Sequence, residues 1–370
     1  MGKKGDIAMI VIFLTIIFGL GGATFILKDR KFSENENRYL AQSPDISMEN
    51  IIDGSYMEDA EDYVSDQFVL RDMWMHAASE YRYILGMRDI GGVYIAKDHS
   101  FITKTEDRDI DEERLSKNIR YLNNFIKNTT SVSDENKTVI IVPTAAAVEQ
   151  DRLPYFAPET DQDALMEDIR AGVDNARIIY AADTLRNMEG QAFYTTDHHW
   201  TSQGAYAVYL EYCYCTGRKP TKEYEFETVC SDLIGSLYSK VLLFDKNCDA
   251  IELPEVQDGY SILCDGVPGQ LYCYDALNTK DKYNVFLGGN YGIVSIKGTG
   301  EGHLLVIKDS FANSFVPYLI DDYEEITMID LRYYMGSVKS MAESDDITHI
   351  LVLYNMANFV SDENIVKLGL

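Results

Sequence analysis

Asp197, His199 and Ser310 are residues of the three types that together activate a serine nucleophile, and each stands in a short block that restricts its geometry. In Thr196-Asp197-His198-His199-Trp200-Thr201-Ser202, an extended backbone puts residues i and i+2 on one face. Asp197 then lies beside His199 and can orient its imidazole, while His198 points away. Ser310 follows the apolar run His303-Leu304-Leu305-Val306-Ile307 and opens the helix-like stretch Phe311-Ala312-Asn313-Ser314-Phe315-Val316. A strand, a sharp turn and a helix would hold its hydroxyl at the rim of a sheet, near the amides of a helix N-terminus. The chemistry open to such a set is acyl transfer. Ser310 attacks an ester, His199 takes its proton, and Asp197 fixes the tautomer and stabilises the imidazolium. The developing oxyanion needs donors, for which the Ser310 amide with Gly289 or Asn290 are candidates, because a Gly-rich turn permits close backbone approach and Asn supplies an NH2.

Each of these residues also has a plainer reading. Asp309 reads as a helix cap, and Ser310 could cap the same helix. Gly288-Gly289-Asn290 fits an ordinary turn as well as an oxyanion loop. Trp200 either stacks on a sugar or packs in the core, and Arg332 either clamps an acceptor or pairs with a carboxylate. Asp197, His198 and His199 could instead ligate a metal, but phosphoesterases of that kind need further Asp motifs upstream that this sequence does not show. Neither metal nor cofactor is expected.

The elements that must position these residues are legible in outline. Met48 to Leu85 has helical spacing closed by Gly86, and Gly91-Gly92 introduces a short strand at Val93-Tyr94-Ile95. From Glu113 helices alternate with apolar strands: a helix over 114–127, a strand over 139–142, a helix over 164–171, a strand over 176–181, and a helix over 202–213 capped by Thr201 or Ser202. Strands follow at 304–307, 326–329 and 350–353. This alternation predicts an α/β fold whose mostly parallel sheet is covered on both faces in three layers. Residues 219–297 break the rhythm with short strand-like runs, Gly turns and four of the six cysteines. They read as an insertion over the C-terminal edge of the sheet, where such folds bind ligands. The expected division is 1–31 as cytoplasmic tip and membrane anchor, 32–112 as linker and helical segment packing on the main domain, and 113–370 as the α/β domain.

Composition narrows the partners. A net charge of −27 leaves no basic surface to displace counterions from phosphates, which excludes nucleic acid, and it disfavours broad docking on anionic lipid or polymer. The uncharged, overwhelmingly apolar run from Ile7 to Leu27 is long enough, at about 1.5 Å per residue, to cross a hydrocarbon core of about 30 Å. Its length and the poor cleavage site Gly22-Ala23-Thr24 favour an uncleaved anchor. Lys3 and Lys4 before it and Lys28, Arg30 and Lys31 after it nearly cancel in the charge rule for orientation.

The residues 197–200, Asp-His-His-Trp, together with Asp309-Ser310-Phe311-Ala312-Asn313-Ser314-Phe315-Val316-Pro317, are similar to blocks of the DHHW family of bacterial proteins. That family is related to the alginate O-acetyltransferase accessory proteins and, more distantly, to the SGNH/GDSL esterases. The resemblance extends through Phe32–Arg38, Asp66–Asp72, Val142–Thr144, Phe286–Asn290 and Asp330–Tyr334. In the acetyltransferase relatives the pattern Asp-x-His-Trp precedes a distant Ser, which maps onto Asp197, His199 and Ser310. Ordinary SGNH esterases begin with Gly-Asp-Ser and end with Asp-x-x-His, so the order here is reversed. The resemblance therefore implies an SGNH hydrolase-like domain that is extracytoplasmic. It also implies an acetyl-serine intermediate, an extracellular polysaccharide as acceptor, and a multispanning membrane acyltransferase as acetyl donor.

Given export, an even count of six cysteines confined to 213–273 suggests a local disulfide framework, with free buried thiols as the alternative. Three functions stay open: an O-acetyltransferase, a carbohydrate O-acetyl esterase, and a non-catalytic polysaccharide-binding scaffold.

Overall fold

In a computed structural model of the chain, the structure describes residues 3–245, 247–344 and 346–369. Two compact units are present. One comprises the chain up to Met87 together with Ser239–Asp245; the other comprises Arg88–Tyr238 and the chain from residue 247 onward.

The smaller unit starts with helix α1 (Lys3–Ile26), whose Gly5–Ile26 portion is apolar and long enough to cross a membrane, as an anchor or a signal sequence would be. The single helical pattern read over 48–85 is three helices, α2 (Met48–Asp53), α3 (Ser55–Gln67) and α4 (Arg71–Ile84). Gly54, at φ 88°, and Leu70, at φ 57°, take left-handed backbone at the two breaks. Two of the family-like blocks meet here: Arg38 forks onto Asp66 at 2.8 and 2.5 Å, and Arg71 pairs with Glu36.

The larger unit begins with a three-stranded antiparallel sheet of Asp89–Ile90, Val93–Ile95 and Phe101–Thr103. Helix α5 (Glu112–Asn128) is capped by Asp111, whose carboxylate accepts the Arg114 amide at 3.0 Å, and α6 (Gln162–Gly172) is capped in the same way by Asp161. The main sheet contains β1 (Lys137–Val142) and β2 (Arg177–Tyr180). Helix α7 (Ser202–Thr216) is followed by the ribbon β3 (Phe226–Leu233) and β4 (Asp249–Pro254), which stands apart from that sheet. Then come β5 (Ser261–Cys264), β6 (Val267–Pro268), β7 (Ile293–Lys297), β8 (His303–Lys308), β9 (Glu325–Asp330), β10 (His349–Asn355) and helix α8 (Met356–Ser361).

The main sheet has eight strands in the order β6-β5-β7-β9-β8-β10-β1-β2. Neighbours from β9 to β2 are parallel, and β7, β5 and β6 extend the sheet antiparallel. Half of the insertion thus continues the sheet, where the sequence suggested a cover over its edge. Pairing of β7 with β9 satisfies a row of backbone groups that would otherwise form an open edge.

Continuous apolar strands arise because both faces are buried. Leu304 and Val306 pack with Trp200, Tyr209 and Phe315 on the α7 side, and Leu305 and Ile307 pack with Leu122, Phe125, Met166 and Ile169 on the other. Each such side chain stabilises the fold by about 1.5–3 kcal/mol. Strand β8, central and buried, is the rigid base that ends two residues before Ser310.

All six cysteines are free, which corrects the disulfide expectation. Cys213 and Cys215 lie two apart on α7 and so point in different directions, with Cys213 in the core. Cys230 is engaged by Asp232 and Lys282, Cys264 is buried in β5, Cys248 is exposed, and Cys273 is half-buried before a 3-10 turn.

Candidate active site

The turn carrying Asp197 and His199 is not the extended segment that alternation suggested. Phe193 and Trp200 form a bridge, and the Tyr194 amide donates to the His199 carbonyl at 3.1 Å, so residues 195–199 bend between them. Asp249 holds this bend. Its carboxylate accepts the amides of Thr195 and Thr196, both at 2.8 Å, and both threonine hydroxyls. Within the bend the His199 amide donates to Asp197 Oδ1 at 3.1 Å, a local side-chain turn of the kind Asp favours.

The bend places Asp197 Oδ1 2.6 Å from His199 Nδ1, and His199 Nε2 lies 2.8 Å from Ser310 Oγ. Asp197 and His199 are buried, and Ser310 is half-buried. An ionised carboxylate only accepts, so Nδ1 carries the proton and Nε2 is left to accept from the serine. Burial alone would push Asp197 up. The electrostatic pull of the neighbouring His198 and His199 rings, the bond from His199 and the amide of Ser236, 2.8 Å from Oδ2, hold it well below the ordinary range.

Ser310 is set by its own neighbours. It opens a 3-10 turn, Ser310–Asn313, directly after β8 and Asp309. Asp309 caps that turn, its Oδ1 accepting the Phe311 amide at 2.9 Å. Its Oδ2 accepts the Asn355 amide at 2.8 Å and Asn358 Nδ2 at 2.7 Å, which ties the turn to the end of β10 and to α8. Burial pushes the Asp309 carboxyl up against these donors. The capping role read for Asp309 is therefore the one its contacts define.

Several other side chains differ from expectation. His198 does not point away: Nδ1 is 3.5 Å from Asp197 Oδ1 and 2.9 Å from Ser236 Oγ, because a bend rather than a strand connects the residues. Trp200 is fully buried; its indole donates to the Phe311 carbonyl and Ser314 Oγ and stacks on Phe315, which leaves no face for a sugar. Arg332 forks onto Asp330 at 2.9 and 2.6 Å, so the internal pairing holds and takes two of its five donors. The Gly289 amide donates to the Phe286 carbonyl at 3.4 Å, which turns it away from an oxyanion role. Asn290 is exposed, and its Oδ1 accepts from Lys308 and Asn313.

Two residues escaped the sequence reading. Tyr283 stacks on His199 with ring centroids 3.7 Å apart and planes 8° apart, and its hydroxyl reaches Ser314 Oγ at 3.0 Å and the Ser310 carbonyl at 3.3 Å. Burial raises its phenol well above the ordinary value, so it stays neutral. Nothing marks it among 26 tyrosines. Gly235 lies against Asp197, where a Cβ would come within 2.4 Å of the aspartate Cβ. Only that contact explains the glycine. Asp197, His198 and His199 also place ligand atoms within 4.8 Å of one another. Both His199 nitrogens are already engaged, so a metal there would have to break the bond to Asp197 or the bond to Ser310.

The parallel sheet, the strand-to-turn serine and the Asp-His bend form the frame in which the chain is similar to known proteins. Residues 101–230 match the family model of the SGNH hydrolase-like domain of the acetyltransferase AlgX; this span includes Asp197 and His199 and ends before Ser310. Among solved structures, the chain is similar to a DHHW family protein from Eubacterium siraeum at 20% identity, covering 75% of this chain and 95% of that one with a TM-score of 0.60. It is similar to Bacillus cereus PatB1 at 19% identity, covering 72% and 97% with a TM-score of 0.60. For PatB1 bearing a sulfonyl adduct the values are 16%, 74%, 98% and 0.59. No curated protein matches the sequence. These similarities agree with the resemblance to the DHHW family carried by residues 197–200.

Proposed function

We propose that this protein is a membrane-anchored O-acetyltransferase that modifies an extracytoplasmic polysaccharide through an acetyl-Ser310 intermediate. The observation that carries the reading is the unbroken hydrogen-bond relay from Asp197 through His199 to Ser310, at 2.6 and 2.8 Å. In the first half-reaction Ser310 Oγ forms a bond to the acyl carbon as His199 Nε2 takes the hydroxyl proton. The carbonyl oxygen becomes an oxyanion, for which the Ser310 amide and Asn290 Nδ2 are the candidate donors. Collapse breaks the bond to the donor's leaving group, which receives the proton from His199. In the second half-reaction a sugar hydroxyl gives its proton to His199 and attacks the acetyl carbon, and Ser310 regains the proton as it departs. Asp197 remains ionised throughout and steadies the imidazolium.

A concave site within the insertion supports a glycan acceptor. A cavity of about 660 Å³ is lined by Tyr260, Tyr272, Tyr274, Glu225, Glu227 and Glu255. None of the relay residues lines it; a chain of aromatic contacts connects its wall to them, Tyr272 packing on Phe286 at 6.3 Å, Phe286 on Tyr283 at 5.2 Å, and Tyr283 on His199. Tyrosine faces suit pyranose rings, and the carboxylates accept sugar hydroxyls. The same carboxylates, with a net charge of −27, disfavour a uronate polymer. The apolar α1 anchors the chain with its larger unit outside the membrane, where a multispanning acyltransferase partner delivers the acetyl group.

The test incubates the full-length protein in detergent with an activated acetyl ester and neutral, amino-sugar or uronate oligosaccharides, followed by mass spectrometry. Expected results are an acetyl adduct on Ser310, transfer to a matching sugar, and loss of both in Ser310→Ala. Rapid hydrolysis with no transfer to any sugar makes it an esterase. No adduct with retained glycan binding leaves a scaffold.

A further inference from the structure

Lys308 is the last residue of β8, two positions before Ser310, and it is 1% exposed. Its ammonium lies 2.7 Å from Asn313 Oδ1, 3.2 Å from Asn290 Oδ1 and 3.7 Å from the Asp330 carboxylate. Asp330 is shared with Arg332, which forks onto it, so Lys308 is not needed to neutralise that carboxylate. A buried cation on the strand that carries the nucleophile is costly unless it is fully engaged. Its two amide contacts connect different parts of the site. Asn313 is the last residue of the turn that Ser310 opens, and Asn290 belongs to the glycine loop. Asn313 Nδ2 in turn reaches the Gly289 carbonyl at 3.3 Å and Asn290 Oδ1 at 3.2 Å, so turn and loop abut.

An ammonium group has three donors and no acceptor. Any amide facing it must present oxygen. For Asn290 this choice is decisive, because Oδ1 is drawn inward by Lys308 and Asn313 and the NH2 is forced to the exposed side. Among the described residues Asn290 Nδ2 has no protein acceptor, and neither does the Ser310 amide. Without the cation, the end-over-end flip of Asn290 would be governed by Asn313 alone, and the outward NH2 would be one of two orientations.

We propose that Lys308 is a positioning residue for acyl transfer: its buried ammonium locks the Asn290 amide with its NH2 outward beside the Ser310 turn, as an oxyanion donor. The inference rests on the acyl-transfer reading, and its test has one arm that does not.

In the full-length protein, burst-phase acylation by an activated acetyl ester is measured for wild type, Lys308→Met, Asn290→Ala, Asn290→Asp and the double variant Lys308→Met/Asn290→Ala. Asn290→Asp keeps an oxygen toward Lys308 at an exposed position and removes the NH2, so it bears on the donor even if Lys308→Met folds poorly. Asn290→Ala and Asn290→Asp should each lose about 100-fold in acylation rate, the scale of one oxyanion donor, and Lys308→Met a smaller factor set by the share of Asn290 amide that flips, with KM within about twofold in all three. The double variant should be no slower than Asn290→Ala, because both changes remove the same donor. Losses that multiply in the double variant, or a wild-type rate in Asn290→Asp, would overturn the proposal. The second arm follows side-chain amide relaxation in asparagine-labelled protein, which is independent of turnover. The Asn290 NH2 should be ordered in wild type and mobile in Lys308→Met; an unchanged amide refutes the lock. A wild type that never acylates Ser310 defeats the acyl-transfer reading, and with it the oxyanion role, whereas the amide measurement still decides whether Lys308 orients Asn290.

Discussion

Gly235→Ala provides a demanding test of the relay, because the substituted residue touches none of the reacting atoms. A Cβ at Gly235 would lie 2.4 Å from Asp197 Cβ, 2.7 Å from its Cα and 2.7 Å from Oδ2. Carbon atoms in contact sit about 3.5 Å apart or more, so one side must yield by about 1 Å. The 235–237 segment is poorly placed to do so: the Gly235 amide donates to Thr196 Oγ1 at 3.0 Å, the Ser236 amide to Asp197 Oδ2 at 2.8 Å, and the Leu237 amide to the Thr196 carbonyl at 3.0 Å. Asp197 is the part that shifts, and its 2.6 Å contact with His199 is lost. A displacement of about 1 Å at such a site costs about 100-fold in rate, and the overpacking costs about 1–3 kcal/mol of stability. The assay is stopped-flow acylation of Ser310, with a thermal melt on the same samples. In an Asp197→Ala background, Gly235→Ala should have little further effect on acylation, since it acts through the carboxylate. A wild-type rate in the single variant, or an undiminished second loss in the Asp197→Ala background, would refute the reasoning.

The buried lysine gives a pH signature. Burial lowers the Lys308 ammonium to about 8, against the opposing pull of Asp330 and Asp309 and with the help of Arg332. Above that pH the folded chain has released a proton that the unfolded chain keeps up to about pH 10, so this group's contribution to stability rises with pH across the window, by about 3 kcal/mol in all. Denaturant midpoints from pH 7 to 10 should show this rise in wild type relative to Lys308→Met, and parallel curves would exclude it. The cysteines give a second signature: protein denatured without reductant should bind six equivalents of an alkylating reagent. In the native state exposed Cys248 should react first, because burial raises Cys213 and Cys264 to about 11. Fewer than six equivalents would mean that bridges form.

Local signals carried much of the site, and long-range contacts carried the rest. Asp197, His199 and Ser310 were legible because their residue types are chemically specific and β8 is an apolar run buried on both faces. The backbone joining Asp197 to His199 was misread because alternation assumes a strand, whereas Asp249, more than fifty residues later, draws the Thr195 and Thr196 amides into a bend. That bend is also why His198 stays beside Asp197. The insertion was recognised by its broken rhythm, but the pairing of β7 with β9 is a register between remote segments, and periodicity within either strand does not contain it. Trp200 and Arg332 illustrate a related limit: both types suit a glycan site, and only long-range contacts reveal that Trp200 is buried against Phe315 and that Arg332 forks onto Asp330.

The candidate oxyanion loop shows how a coarse sequence signal becomes specific. Gly288-Gly289-Asn290 suggested close backbone approach without saying which group would donate. The Gly289 amide is committed to Phe286, so the glycines shape the turn and the side chain that follows is the candidate donor. What orients that side chain is a cation from β8, on the strand that also delivers the serine. The nucleophile and its candidate oxyanion donor are therefore referenced to one rigid strand. Preorganisation of this kind requires the donor to be in place before charge develops, and a buried ammonium two residues from the nucleophile meets that requirement.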